Sequence, residues 1–124
     1  MEISTEIKKH VRLHNVKGLV DIGELTEYLK NIYNSPDIDL EINVFWNLQE
    51  ADLSSVSAEE VRSFAEFVGR HRGKGGRGKT ALVVSRDLEY GMSRMYQVLM
   101  KIQASADITI FQDINEAKEW MEIE

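Results

Sequence analysis

Gly73-Lys74-Gly75-Gly76-Arg77-Gly78-Lys79-Thr80 satisfies G-x-x-x-x-G-K-[ST] letter for letter. That is the pattern of a loop whose backbone N–H groups cradle phosphates. The chemistry needs a strand before the loop and a helix after it, so that a helix N-terminus faces the anion. Here the order is reversed. A capped amphipathic segment precedes the loop, and the apolar run Ala81-Leu82-Val83-Val84 follows it. The stretch therefore reads as a helix-to-strand connection of glycines and solvated cations. Docking of an acidic partner or a phosphate group by loop 73–80 is the alternative function, that of a nucleotide- or phosphate-binding protein.

Other residues could do chemistry. His10 and His14 are four apart, but their segment reads as a surface strand and turn, and no carboxylate stands at ligand spacing. His71 sits among cations at a helix end, where it complements the dipole. There is no G-x-S-x-G elbow. Ser54 and Ser55 lie between a strand and a capped helix. They are candidate phosphorylation sites, because a helix N-terminus tolerates added negative charge. Ser85 and Arg86 follow a buried strand, and Tyr90 and Arg94 stand one turn apart on the next helix. These four, with Trp46 and Asn47 near the end of their own strand, are the candidate ligand-binding residues at the carboxyl edge of the sheet. Their hydroxyl and guanidinium donors suit an anionic group.

Composition removes whole classes of activity. The chain has no Cys, so thiolate metal sites, iron–sulfur clusters and cysteine nucleophiles are excluded. No catalytic residue, metal or cofactor is implied. No segment has the roughly 20 apolar residues of a membrane span. The start, Met-Glu-Ile-Ser-Thr-Glu, lacks the basic and apolar regions of a secretory signal. A cytoplasmic location is expected. The net charge of −6 disfavours nucleic acid and anionic lipid. Arg70, Arg72, Lys74, Arg77 and Lys79 form one basic segment on this otherwise acidic chain.

The elements that must position these groups follow from periodicity. A first strand is expected at about 7–13, with a turn through Asn15–Gly18. Asp21, with Glu24 three residues on, caps a helix carrying Leu25, Tyr28, Leu29 and Ile32 on one face. Leu40–Leu48 alternates as a strand. Ser57 and Glu60 form a second capping box before the stripe Val61, Phe64, Ala65, Val68. Thr80–Val84 reads as a strand buried on both faces. Leu88, Met92, Met95, Leu99 and Ile102 mark a long helix, Ile108, Ile110 and Phe111 a last strand, and Ala117, Trp120 and Met121 a short last helix behind Asp113. Alternation of this kind predicts one α/β domain over residues 1–124. It has a four- or five-stranded mostly parallel or mixed sheet, about four packed helices, and the first strand antiparallel at an edge.

Four segments carry a resemblance. Ala81-Leu82-Val83-Val84, Tyr90-Gly91-Met92-Ser93-Arg94-Met95-Tyr96, Ile108-Thr109-Ile110-Phe111-Gln112-Asp113 and Glu116-Ala117-Lys118-Glu119-Trp120-Met121 resemble the ending of the SpoIIAA-like branch of the STAS superfamily. Gly18 and Leu25 also sit where that family has a Gly and a following helix. The resemblance implies a STAS-like mixed sheet and relation to anti-sigma-factor antagonists and Sec14-type lipid carriers. The phosphorylatable antagonists place an Asp-Ser-Ser/Ala-Gly-like segment after a central strand. Asp52-Leu53-Ser54-Ser55-Val56 lacks the Gly. The resulting expectation is a non-enzymatic binding or regulatory module taking a small amphipathic ligand or a protein partner. A homodimer formed through a sheet edge or helix face is a third reading.

Overall fold

In the computed structural model, residues 1–37, 39, 42–72 and 78–123 are described. The chain runs β1 (Glu2–Lys8), β2 (Val11–Leu19), α1 (Ile22–Tyr33), β3 (Asn43–Asp52), α2 (Ala58–Arg72), β4 (Lys79–Val83), α3 (Asp87–Ala104), β5 (Asp107–Phe111) and α4 (Ile114–Met121). The sheet order is β1-β2-β3-β4-β5. β1 pairs antiparallel with β2, and every later neighbour is parallel. This is the five-stranded mixed sheet with four helices that the alternation predicts, with its antiparallel strand at one edge.

The beginning differs from expectation. Two strands replace the one expected near 7–13, joined by a turn at Lys9–His10 with Lys9 at φ 58°. Neither turn residue is a Gly or Asn, so the hairpin carries none of the usual local signal. The expected turn at Asn15–Gly18 lies inside β2. β2 there meets an irregularity, since Asn15 pairs with Asn47 but Lys17 pairs with Glu50. Gly18, at φ 84°, takes a left-handed conformation that a side chain would strain. β3 starts later than expected and runs on to Asp52; Leu40 lies outside the described residues.

The sheet is covered on both faces. Leu25 and Leu29 of α1, Phe64 and Ala65 of α2, and Met100 and Ala104 of α3 share one core with Val44, Trp46, Leu82 and Ile108. Phe45, Ala81 and Val83 point the other way, onto Ala117 and Met121 of α4. Phe45, among polar neighbours on its side of β3, is therefore buried. The stripe expected on α3 is also displaced. Leu88 and Ile102 are exposed, and the fully inward face is Glu89, Ser93, Met100 and Ala104. Two polar residues on that face kept it from showing as apolar periodicity.

The helix starts follow their caps. Asp21 Oδ1 accepts from Glu24 N at 3.0 Å. Ser57 and Glu60 exchange both bonds of the capping box, at 3.0 and 3.1 Å. Asp113 Oδ1 accepts from Asn115 N at 2.8 Å. α4 ends with Glu122 at φ 59°, while Ile123 N reaches Lys118 O and buries its side chain. That is a glycine position occupied by an L-residue. Glu122→Gly is expected to raise stability by about 0.5–1 kcal/mol, measured by denaturant unfolding.

Candidate functional site

β2 and β3 end at the same edge of the sheet, and α1, α2 and α3 all begin there. Under that edge, between the sheet and the three helices, lies an apolar cavity of about 80 Å³. It is lined by Trp46 and Leu82 of the sheet, Leu25, Phe64 and Met92 of the helices, and Leu53 and Val56 of the loop after β3. Ser93, only 4% exposed, sits in the helical wall. The space is well below the several hundred Å³ of a drug-sized pocket. It suits the end of an alkyl chain or a small ring.

A charged clamp holds the loop at the mouth. Glu89, buried on α3, accepts from Leu53 N at 3.1 Å and from Arg86 Nε at 3.1 Å, and its Oε1 also accepts from Arg86 Nη2. The same Arg86 nitrogen reaches Ala51 O at 3.3 Å and Asp52 Oδ1 at 3.4 Å. Ser54, through its hydroxyl and its backbone N–H, holds the Asp52 carboxyl below the usual carboxylate range, with Arg86 acting in the same direction. Glu89 thus has partners for both oxygens, which a buried carboxylate requires.

Behind Trp46 lies a second polar chain. The His14 and Trp46 rings are 4.2 Å apart. His14 Nε2 accepts from Arg12 Nε at 3.1 Å, so Nδ1 carries the proton and donates to Thr5 Oγ1 at 2.7 Å. Thr5 Oγ1 also meets Tyr28 OH at 2.7 Å. His14 is not on the surface, as its polar neighbours in sequence suggest, but fully buried. Burial, aided by the Arg12 charge, pushes its imidazole down to about 3.

No family model matches the chain, and no curated protein matches it. Among solved structures, it is similar to an uncharacterized protein of the DUF3478 family with a SpoIIAA-like fold, from Shewanella loihica PV-4. The match has a TM-score of 0.58 and 18% sequence identity, over 96% of this chain and 91% of that one. The chain has a SpoIIAA-like fold.

On that fold the candidate residues scatter. Trp46 lines the cavity. Asn47 serves the β2–β3 irregularity: its Nδ2 donates to Asn15 Oδ1 at 3.0 Å, and its Oδ1 accepts from Gln49 N at 3.2 Å. Ser85 Oγ donates to Gln49 O at 2.8 Å, and Arg86 belongs to the clamp. Ser54 and Ser55 are exposed, in the loop between the cavity-lining Leu53 and Val56. Tyr90 is exposed on the first turn of α3. Arg94 bonds Gln97 Oε1 at 2.8 Å and lines a separate surface groove between α3 and β5. The expected Tyr90–Arg94 pair therefore does not share the cavity with Trp46.

The residues that sequence reasoning missed are Glu89, Ser93 and His14. The i, i+3 spacing of Arg86 and Glu89 was a visible signal for the clamp. For His14 the burial had no local signal, because Thr5 and Trp46, which pack on it, belong to two other strands. Of the basic loop, Gly73–Arg77 lie outside the described residues. β4 does follow α2, as the reversed motif order predicts. Lys79 Nζ sits 4.3 Å from the Trp120 ring centroid and donates to Trp120 O at 2.7 Å, at the end of α4. His71 stacks on Tyr33 at 4.8 Å. Among the described residues, no three His, Asp or Glu side chains are grouped to hold a metal ion, and no helix is long and apolar enough to cross a membrane.

The His14 network makes acid stability testable. Its folded pKa of about 3 lies below the unfolded value of 6.5. The unfolded chain therefore binds the extra proton first as pH falls. Stability from this group is complete above about pH 6.5 and is lost toward pH 3, at up to about 1.4 kcal/mol per pH unit. Denaturant unfolding between pH 8 and pH 4 is expected to show that slope, and His14→Gln to flatten it.

Proposed function

We propose that the chain is a non-enzymatic binding module that takes the apolar end of a small amphipathic ligand at the carboxyl edge of its sheet. The observation that carries this reading is the cavity between Trp46, Phe64 and Met92, lying close to where three helices begin. An unfilled apolar space in a protein core forgoes dispersion and transfer energy, so its retention at the edge where α/β sheets bind ligands argues for an occupant. The polar groups around the mouth support binding over chemistry. Glu89 is engaged by Arg86 and Leu53 N, and Ser85 by Gln49 O, so each is a structural tie.

A second reading, docking of a protein partner, is favoured by the surface of the same edge. Leu19, Leu88 and Tyr90 are 53%, 45% and 40% exposed there, and Ser54 and Ser55 present their side chains to solvent for phosphorylation. The nucleotide reading has less support, since the Lys79 ammonium lies against Trp120.

Ser93→Val separates these readings. It places two methyl-sized groups in the cavity wall, and is expected to raise stability by about 1 kcal/mol. Native mass spectra of the parent protein, compared with denatured spectra, are expected to show an excess ligand mass that the variant lacks. A parent protein that remains at its bare mass when titrated with short-chain alcohols, amines and acids would overturn the ligand reading and leave the partner reading.

A further inference from the structure

We infer that the part of the ligand inside this cavity carries one uncharged hydrogen-bonding oxygen, an alcohol or a ketone set in a small hydrocarbon frame, and that the Ser93 hydroxyl is its partner. This rests on the cavity being a ligand site, and adds the chemistry of what enters it.

Ser93 is 4% exposed and lines the cavity from α3. A helical hydroxyl shielded from water can turn back to the carbonyl one turn earlier. Thr26 of α1 does so, bonding Ile22 O at 2.7 Å. Ser93 Oγ makes no such bond, and no other hydrogen bond among the described residues. Nor is it sealed by packed atoms, and the space that Ser93 lines is the cavity. A buried hydroxyl without a partner has given up its bonds to water for nothing, which is why such groups are nearly always satisfied.

The rest of the lining decides what could satisfy it. Side chains other than Ser93, Trp46 and Tyr96 give the cavity only hydrocarbon or thioether surface. A trapped water, which needs about two to four polar partners, is poorly served there. No Lys, Arg, Asp or Glu lines the space, so a charged group would enter it unpaired. Glu89, one turn before Ser93, already has both oxygens engaged by Arg86 and Leu53 N. An uncharged oxygen carried in on a hydrocarbon frame meets both demands. The frame covers the apolar wall, and the oxygen completes Ser93.

The test titrates cyclopentane, cyclopentanone and cyclopentanol, matched in frame and different in oxygen, into the intact protein and into Ser93→Ala. The readout is the NMR shift of the cavity-lining Leu25 and Met92 methyls. All three probes are expected to bind the parent protein. Cyclopentane is expected to bind the variant about as well, which also shows that the variant keeps its cavity. The oxygen-bearing probes are expected to weaken about ten-fold relative to cyclopentane in the variant, which corresponds to about 1.4 kcal/mol. Weakening of both assigns Ser93 as donor, and weakening of the alcohol alone assigns it as acceptor; either result supports the pairing. Unchanged ratios in the variant, or binding of cyclopentane alone to the parent protein, overturn the pairing and leave the cavity reading standing. Failure of all three probes to move the methyls of the parent protein removes the cavity reading and the pairing together.

Discussion

β2, β3, β4 and β5 pair in parallel in the same order in which the chain makes them. Parallel neighbours need a crossover, crossovers share one hand, and an order that never reverses sends every crossover helix to the same face. α1, α2 and α3 thus pack as one layer, and α4 alone covers the opposite face. The same constraint removes the crevice that a reversal of strand order opens in other α/β sheets. The cavity accordingly lies beneath the helix layer, bounded by Trp46 below and α3 above. It also collects the starts of three helices, each with an acidic residue in its first turn, at one edge.

Two buried polar assemblies work within that layer. Glu89 ties α3 to the loop after β3 through Leu53 N and Arg86, so the strand end, the loop and the helix start are joined by side-chain hydrogen bonds. Arg12, His14, Thr5 and Tyr28 link β1, β2 and α1 in one chain of hydrogen bonds. Such chains are costly when incomplete and specifying when complete. The second gives the edge strand β1, whose outer residues are mostly exposed, a fixed attachment to the helix layer.

Much of the fold was legible because its signals are local. Asp21, the Ser57–Glu60 box and Asp113 announce three helix starts, and each makes the bond its spacing implies. The unbroken run after Lys79 announces a strand buried on both faces. The opening hairpin was not legible, because Lys9 holds its turn without a glycine and β1 is largely polar. The inner face of α3 was misread for a related reason. Glu89 and Ser93 occupy it, and only Arg86 together with the backbone of Leu53 makes a carboxylate there tolerable.

The site shows the same division. Ser85, Arg86 and the Ser54–Ser55 loop can be assigned to the carboxyl edge from sequence, because strand direction alone decides which end a following loop occupies; Trp46, expected near the end of its strand, stands within it, since β3 runs on to Asp52. Their roles could not be assigned, since a side chain's partners belong to other elements: Asn47 answers to Asn15, Ser85 to Gln49, Lys79 to Trp120. Sequence by itself determined the alternation of strands and helices, the helix caps and the reversed order around the glycine-rich loop, since each rests on contacts within a few residues. Only the tertiary structure decided the cavity, the buried His14 and the clamp on Glu89, because burial and hydrogen-bond partnership are set by residues far apart in the chain that the parallel sheet brings together.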